Sequence, residues 1–246
     1  KLRAYIAKTT AALEVAPADA TLRLDGVAVV TQPARMGRQV LVDQAVADSM
    51  PALMALQPHT VTLTTRELPP RLNDAAVADA QQRIEAMIQA PLTLKVENKQ
   101  YVWQPKDIAL MLDIARVPAG TGTDQIAVAL NSYQLNRRIT DIANETGRGS
   151  VNPRVAWNNG DLKIIKPGKP GLRMDENQAR QAILAAISLP TRELALPVRE
   201  VAPQVTEANL NSLGIKELIS VGRSDFTGSA AYRIHNIGAG MNLLQG

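Results

Sequence analysis

The side chains able to do chemistry are few. The chain has two histidines, His59 and His235, and no cysteine. A Ser/His/acid set would have to use one of them. His235 has Ser224, Asp225, Ser229 and Arg233 close by in sequence. No Gly-x-Ser-x-Gly elbow accompanies it to present a hydroxyl as a nucleophile. His59 follows Pro58 with no Ser or Asp motif beside it and reads as a loop residue. A zinc site fails on ligand count, with no Cys and no His pair at i, i+4. Gly120 and Gly122 are followed by neither GK[ST] nor a full GxGxxG, so they form no phosphate cradle. Asp74 and Asp79 read as the solvated face of a helix. The residues point to no catalytic group, no cofactor and no metal, and so to a protein that is not an enzyme.

Binding chemistry is better represented. Tyr101 and Trp103 lie two apart, which on a strand puts both rings on one face; they could stack a sugar ring or pack inside. Trp157 has Arg23 at the corresponding earlier position, so it marks no duplicated sugar site. Arg66 and Arg199 each precede a Glu, and could receive the carboxylate of a peptide ligand or form a local ion pair. Ser224, Asp225, Arg233, His235 and Asn236 are further candidates for ligand contact, in the most polar stretch of the chain.

These residues are positioned by a duplicated unit. Arg66-Glu67-Leu68-Pro69-Pro70-Arg71-Leu72-Asn73-Asp74-Ala75 returns as Arg199-Glu200-Val201-Ala202-Pro203-Gln204-Val205-Thr206-Glu207-Ala208, at a constant offset of 133. Gly26, Pro33 and Gly37 return as Gly160, Pro167 and Gly171 at an offset of 134. Asp25-Gly26 and Asn159-Gly160 each sit between alternating runs and predict hairpins, because such turns need positive φ. A helix is expected over residues 2–14. Asp43 and Asp175 are expected as helix N-caps, a match that needs a two-residue slip and sets Pro51 opposite Ile183. Proline inside a helix costs about 3 kcal/mol, so a kink or a fresh start is expected there. Strands follow over 60–65 and 193–198, each leading into the repeated motif. Asn73 then caps a helix, residues 92–96 and 101–103 form strands, and Pro105 opens a short helix. A helix is expected from Asp124 toward Ile142, its later part aligning with residues 2–14, and Thr206 caps a short helix that Gly214 ends.

Composition bounds the rest. With 246 residues, 46% of them apolar, the chain can build one large core or two ordinary ones. Only 3% are aromatic, so those cores must be aliphatic. The net charge of +4 comes from scattered cations with no run longer than Arg137-Arg138, which argues against nucleic acid as a partner. No apolar run reaches spanning length. A start at Lys1, without Met, reads as a soluble piece whose anchor or signal would lie upstream; a membrane is expected only through such an anchor.

The order hairpin, Pro-x-x-x-Gly, Asp-capped helix, strand and Thr-Glu-Ala helix start resembles the peptidoglycan-binding repeat of bacterial cell-surface proteins. That repeat is found ahead of VanW domains, named from vancomycin-resistance clusters, and in some L,D-transpeptidases. The tail Ser224-Asp225-Phe226-Thr227-Gly228-Ser229 with Arg233-Ile234-His235-Asn236-Ile237 looks like the opening of a VanW domain. The resemblance implies an extracytoplasmic module that binds peptidoglycan or another cell-wall polymer without catalysis. A structural spacer or protein-interaction module is the alternative, and part of a wall-modifying enzyme completed beyond Gly246 a third. The expected architecture is α+β: two related units, each a small, mainly antiparallel sheet with helices on one face. Their expected bounds are 1–134, 135–212 and, for the VanW-like start, 213–246.

Overall fold

The structure, a computed structural model, describes every residue except Asn159, Leu218, Val221, Gln245 and Gly246, and only the backbone of Leu243 and Leu244. The protein is α+β. In chain order its elements are α1 (Leu2–Thr10), β1 (Thr21–Asp25), β2 (Ala28–Gln32), β3 (Gly37–Val40), α2 (Val42–Met54), β4 (Thr65–Leu68), α3 (Asp74–Ile88), β5 (Leu92–Val96), β6 (Lys99–Trp103), α4 (Pro105–Leu110), β7 (Leu112–Val117), β8 (Gln125–Leu130) and α5 (Ser132–Thr146). The second copy continues with β9 (Arg154–Asn158), β10 (Asp161–Lys166), β11 (Gly171–Met174), α6 (Glu176–Ala186), β12 (Glu193–Ala195) and β13 (Val198–Val201). A 3₁₀ stretch (Glu207–Leu213) and α7 (Ala231–Leu244) end it.

The chain divides into two compact units. The first comprises residues 1–149 and 172–201, the second residues 150–171 and 202–246. The first unit's main core is built around the sheet β12–β5–β6. β5 reads Leu-Thr-Leu-Lys-Val, and its period of two buries Leu92, Leu94 and Val96 while Thr93 and Lys95 face outward. Ile84 and Met87 of α3, Ile108 of α4, Leu135, Ile139 and Ile142 of α5, and Ala179 and Ile183 of α6 close over it. β5 and β6 are antiparallel, whereas β12 joins β5 in parallel, Leu194 opposite Leu94. Arg192, just before β12, donates to the carbonyls of Met87 (2.6 Å), Ala90 (2.8 Å) and Ile187. One guanidinium thus serves the orphan carbonyls at the ends of both α3 and α6. A smaller cluster of Ala20, Leu72, Val77, Ala80 and Ile126 lies under the hairpin β1–β2.

The duplication holds bond by bond. Isolated bridges join Val15 to Arg38 and Ala18 to Arg35 in the first copy, and Arg148 to Leu172 and Val151 to Lys169 in the second. The amide of Leu41 donates to Thr64 O, and that of Asp175 to Pro197 O. Leu41 and Asp175 are the N-cap positions of α2 and α6, so the helices align without a slip. Asp43 lies inside the first turn of α2 rather than capping it. The side chain of Asp175 does cap, accepting from Gln178 N at 3.0 Å. Ser49, not Pro51, is therefore the counterpart of Ile183. Helix α2 continues through Pro51 to Met54, where an expected break does not occur. Pro51 is close to the helix end, so few turns depend on the hydrogen bond it cannot donate.

Other expectations shift. Helix α5 begins at Ser132, and Gln125–Leu130 is a strand paired with β7. Its alternation, with Ile126 and Leu130 buried, makes a strand of the stretch where the helix was expected to begin. The extended stretch expected over 60–65 forms a ladder only from Thr65, where β4 pairs with β3. Asn73 caps α3 by accepting from Ala76 N at 2.9 Å, and Gly214 ends the 3₁₀ stretch at φ 72°.

Within the second unit β9 and β10 form a hairpin that pairs Asn158 with Asp161. Gly160 takes φ 100° in its turn, and Asn159 lies outside the described residues. Leu210 of the 3₁₀ stretch is buried.

Candidate functional site

The repeated motif resolves into a joint. Strand β4 ends at Leu68, Pro69-Pro70 turn the chain, and Asn73 starts α3. Asp19 accepts from the amides of Arg71 (2.7 Å) and Leu72 (3.0 Å), and pairs with Arg116 at 2.9 Å. Arg116 also donates through Nε to Asp124 at 2.7 Å, and Asp124, 2% exposed, takes Ala119 N at 3.0 Å and Arg71 Nη2 at 3.3 Å. The Arg116 hydrogen bond holds the Asp124 carboxyl below the usual carboxylate range, against burial that would raise it. Asp19 is lowered too, chiefly by the Leu72 amide. Both acids are satisfied by the fold itself and offer nothing to a substrate.

Arg66 donates to Gln39 across the β3–β4 pair at 2.5 Å, and does not pair with Glu67. Arg199 is exposed on β13. Trp103 is 5% exposed, in the core, with the Arg138 guanidinium 5.7 Å from its ring centroid. No ring face is left there for a sugar. Tyr101 packs on the same side. Its buried hydroxyl lies beside Glu145, outside ordinary hydrogen-bond geometry, and burial, then that carboxylate, raises its pKa. In the second unit Ser224 and Asp225 are exposed, and Asp225 accepts from Thr227 N (2.9 Å) and Oγ1 (2.5 Å) in a local turn. Those bonds, the hydroxyl's first, lower its pKa. Arg233, His235 and Asn236 are exposed on α7. At about 100° per residue Arg233 and Asn236 share a face and His235 points away from it. Within the first unit Arg66 belongs to the β3–β4 pair, whereas Tyr101 and Trp103 belong to the sheet β12–β5–β6.

The surface best suited to a polar polymer is on α5. Leu135, Ile139 and Ile142 recur at helical spacing and are buried, which fixes the outward face. That face carries Tyr133, 75% exposed, with Gln134 and Arg137 following, along a shallow cleft of about 700 Å³ bordered by Asn131, Arg138 and Asp141. Tyr133 and Arg137 are neighbours at i, i+4, and Arg137 and Asp141 likewise. Asn131 fixes the helix start by accepting from Gln134 N at 3.1 Å. Arg138 is held between Trp103 and Asp107, 3.9 Å away. An exposed aromatic ring beside amide and guanidinium groups can stack on a pyranose and bind acetamido or carboxylate substituents. At the other end of α5 a second polar cleft, about 500 Å³, includes Asn144, Arg173 and Glu176. Among the described residues no three of His, Asp and Glu gather as a metal site would require.

Residues 1–62 match the family model described as "Putative peptidoglycan binding domain". The match supports a cell-wall polymer as partner, and suggests a place outside the cytoplasm. A solved structure, "Structure of the Ldtfm-avibactam carbamoyl enzyme", is similar with 14% identity and a TM-score of 0.35. The likeness covers 50% of this chain and 45% of that one, so the chain spans less than half of its length. No curated protein matches the chain. Among the described residues no helix is long and apolar enough to cross a membrane.

Reasoning from sequence missed Tyr133. The signal was present in the spacing of Leu135, Ile139 and Ile142, which leaves Tyr133 and Arg137 outside the apolar stripe. Starting the helix at Asp124 hid it.

Proposed function

We propose that this chain is a non-catalytic, extracytoplasmic module that binds peptidoglycan, with the Tyr133–Arg137 face of α5 as its contact surface. The match of residues 1–62 to a peptidoglycan-binding family carries this reading, and the second copy's repetition of the same bonds supports it. Glycan strands would lie across the shallow α5 cleft, with Tyr133 under a sugar ring and Arg137 toward a stem-peptide carboxylate. Residues 213–246 fit the start of a VanW-like segment on their sequence, and any anchor to the membrane would lie outside this chain. Sedimentation with purified sacculi tests the reading. The chain is expected to be retained, and Tyr133→Ala to lose about tenfold in affinity, the worth of one aromatic contact. Retention no better than a size-matched control, or equal retention by Tyr133→Ala and Arg137→Ala, counts against it.

A protein-interaction role is the second reading. The observation that favours it is an open apolar cleft between α1 and α2.

A further inference from the structure

We propose that the cleft between α1 and α2 is a docking site for a β-hairpin of the β5–β6 kind, supplied by a further unit of this repeat, whose leading strand adds in parallel to residues 60–64. The inference is independent of wall binding.

The cleft measures about 350 Å³ and is lined mainly by apolar groups, with Leu2 and Ile6 from α1, Ala45 and Leu53 from α2, and Val61 and Leu63 from the segment beyond. Each has a counterpart in the second copy at an offset of 133 or 134, and there the space is filled. Leu2 and Ile6 correspond to Leu135 and Ile139, both 1% exposed under the β5–β6 hairpin. Leu53 is 51% exposed, whereas its counterpart Ile187 is 2% exposed in the main core. The same helix pair is thus fully covered in one copy and partly open in the other, where Leu2 and Ile6 are half-buried and Leu53 is exposed.

The backbone repeats the contrast. In the second copy Arg192 O accepts from Thr93 N at 2.8 Å, and Leu196 N donates to Lys95 O at 2.9 Å, so that β5 lies along β12. The corresponding groups are His59 O and Leu63 N. Residues 57–64 belong to no strand, yet Val61 and Leu63 are half-buried while Thr60, Thr62 and Thr64 are exposed. This is strand alternation with no strand beside it. Arg192 itself, which holds the C-terminal carbonyls of α3 ahead of β5, corresponds to His59 at the rim of the cleft. A second identical chain has no such hairpin to give, because its own is enclosed by α5, α6 and β12.

The test mixes the full chain with a synthetic peptide of the sequence of residues 90–111, and repeats it with that segment tethered ahead of Leu2 by a flexible linker. Amide exchange at Val61 and Leu63 is expected to slow by about tenfold or more. Thr60 and Thr62 are expected to be unchanged, since a parallel ladder engages alternate residues. The effect should vanish for a peptide with Leu92→Ser and Leu94→Ser, and for the Leu53→Arg chain. No alternating protection in either format overturns the proposal, as does equal protection by the serine peptide. Protection of α1 and α2 without Val61 and Leu63 would indicate a helix or an acyl chain, and would overturn it as well.

Discussion

Asp19 accepts a hydrogen bond from the amide of Leu72 at 3.0 Å, and the same bond recurs between Asn152 and Val205 at 3.1 Å. A short side chain thus clasps the turn that leads into the third helix of each copy. What the two have in common is an acceptor oxygen, not a charge. Only Asp19 also holds an arginine, Arg116. Asp19→Asn should keep the clasp and lose the ion pair, whereas Asp19→Ala loses both. Thermal unfolding should place Asp19→Asn between wild type and Asp19→Ala, and equal Tm values for the two variants would refute this division.

Acid should attack the same joint. The folded-state pKa values of Asp124 and Asp19 lie below their unfolded ones. Their contribution is then complete above the ordinary carboxylate pKa and is lost as pH falls through the lowered folded values. Stability measured from about pH 7 down to pH 2 should fall steeply only below about pH 4. Asp124→Asn should be less stable at neutral pH and show a shallower acid limb. An unchanged limb would mean that other carboxylates set it.

The partly open and the covered helix pairs should respond differently to truncation. Ile183 is 0% exposed, and Ile183→Ala should cost about 2–5 kcal/mol. Its counterpart Ser49, 8% exposed, donates Oγ to Ala45 O at 2.6 Å; Ser49→Ala removes only this bond back along the helix and should change stability by about 1 kcal/mol or less. Chemical denaturation of both variants checks the contrast.

Gly37 is required by closeness. A Cβ there would meet Pro17 Cδ at 2.6 Å and Val15 O at 2.7 Å, where the chain bridges to Arg38. Gly37→Ala should cost about 1–3 kcal/mol by forcing the two backbones apart. Amide exchange at Val15 and Arg38 should rise with it; an undisturbed bridge would argue against the cause.

Much of the architecture was legible in local signals. Asp25-Gly26 and Gly160 mark their hairpins, Asn73 caps its helix, and the Arg-Glu-x-x-Pro motif is a strand exit, a turn and a helix start. The misreadings have physical causes. The helix was expected to start at Asp124, eight residues before α5; the partners that fix Asp124 instead, Arg71 and Arg116, come to it only in the fold. Trp103 could have stacked a sugar or packed inside, and it packs inside; strand alternation shows which face a ring takes, and not what covers that face. Tyr133 was passed over because its value lies in exposure, which depends on where α5 packs. The pairing of β12 with β5 left no short-range trace at all.

That pairing bears on the order in which the protein can be made. Lys95 and Glu193, which meet across it, are 98 residues apart. During synthesis the apolar edge of β5 emerges long before α6 and β12 exist to cover it. Closing so long a loop makes this a late, slow event compared with the local hairpins. The first copy, by contrast, has its helices beside each other as soon as α2 is complete. A growing chain would therefore expose Leu92 and Leu94 for a definite interval, which is where a nascent-chain chaperone would find its grip.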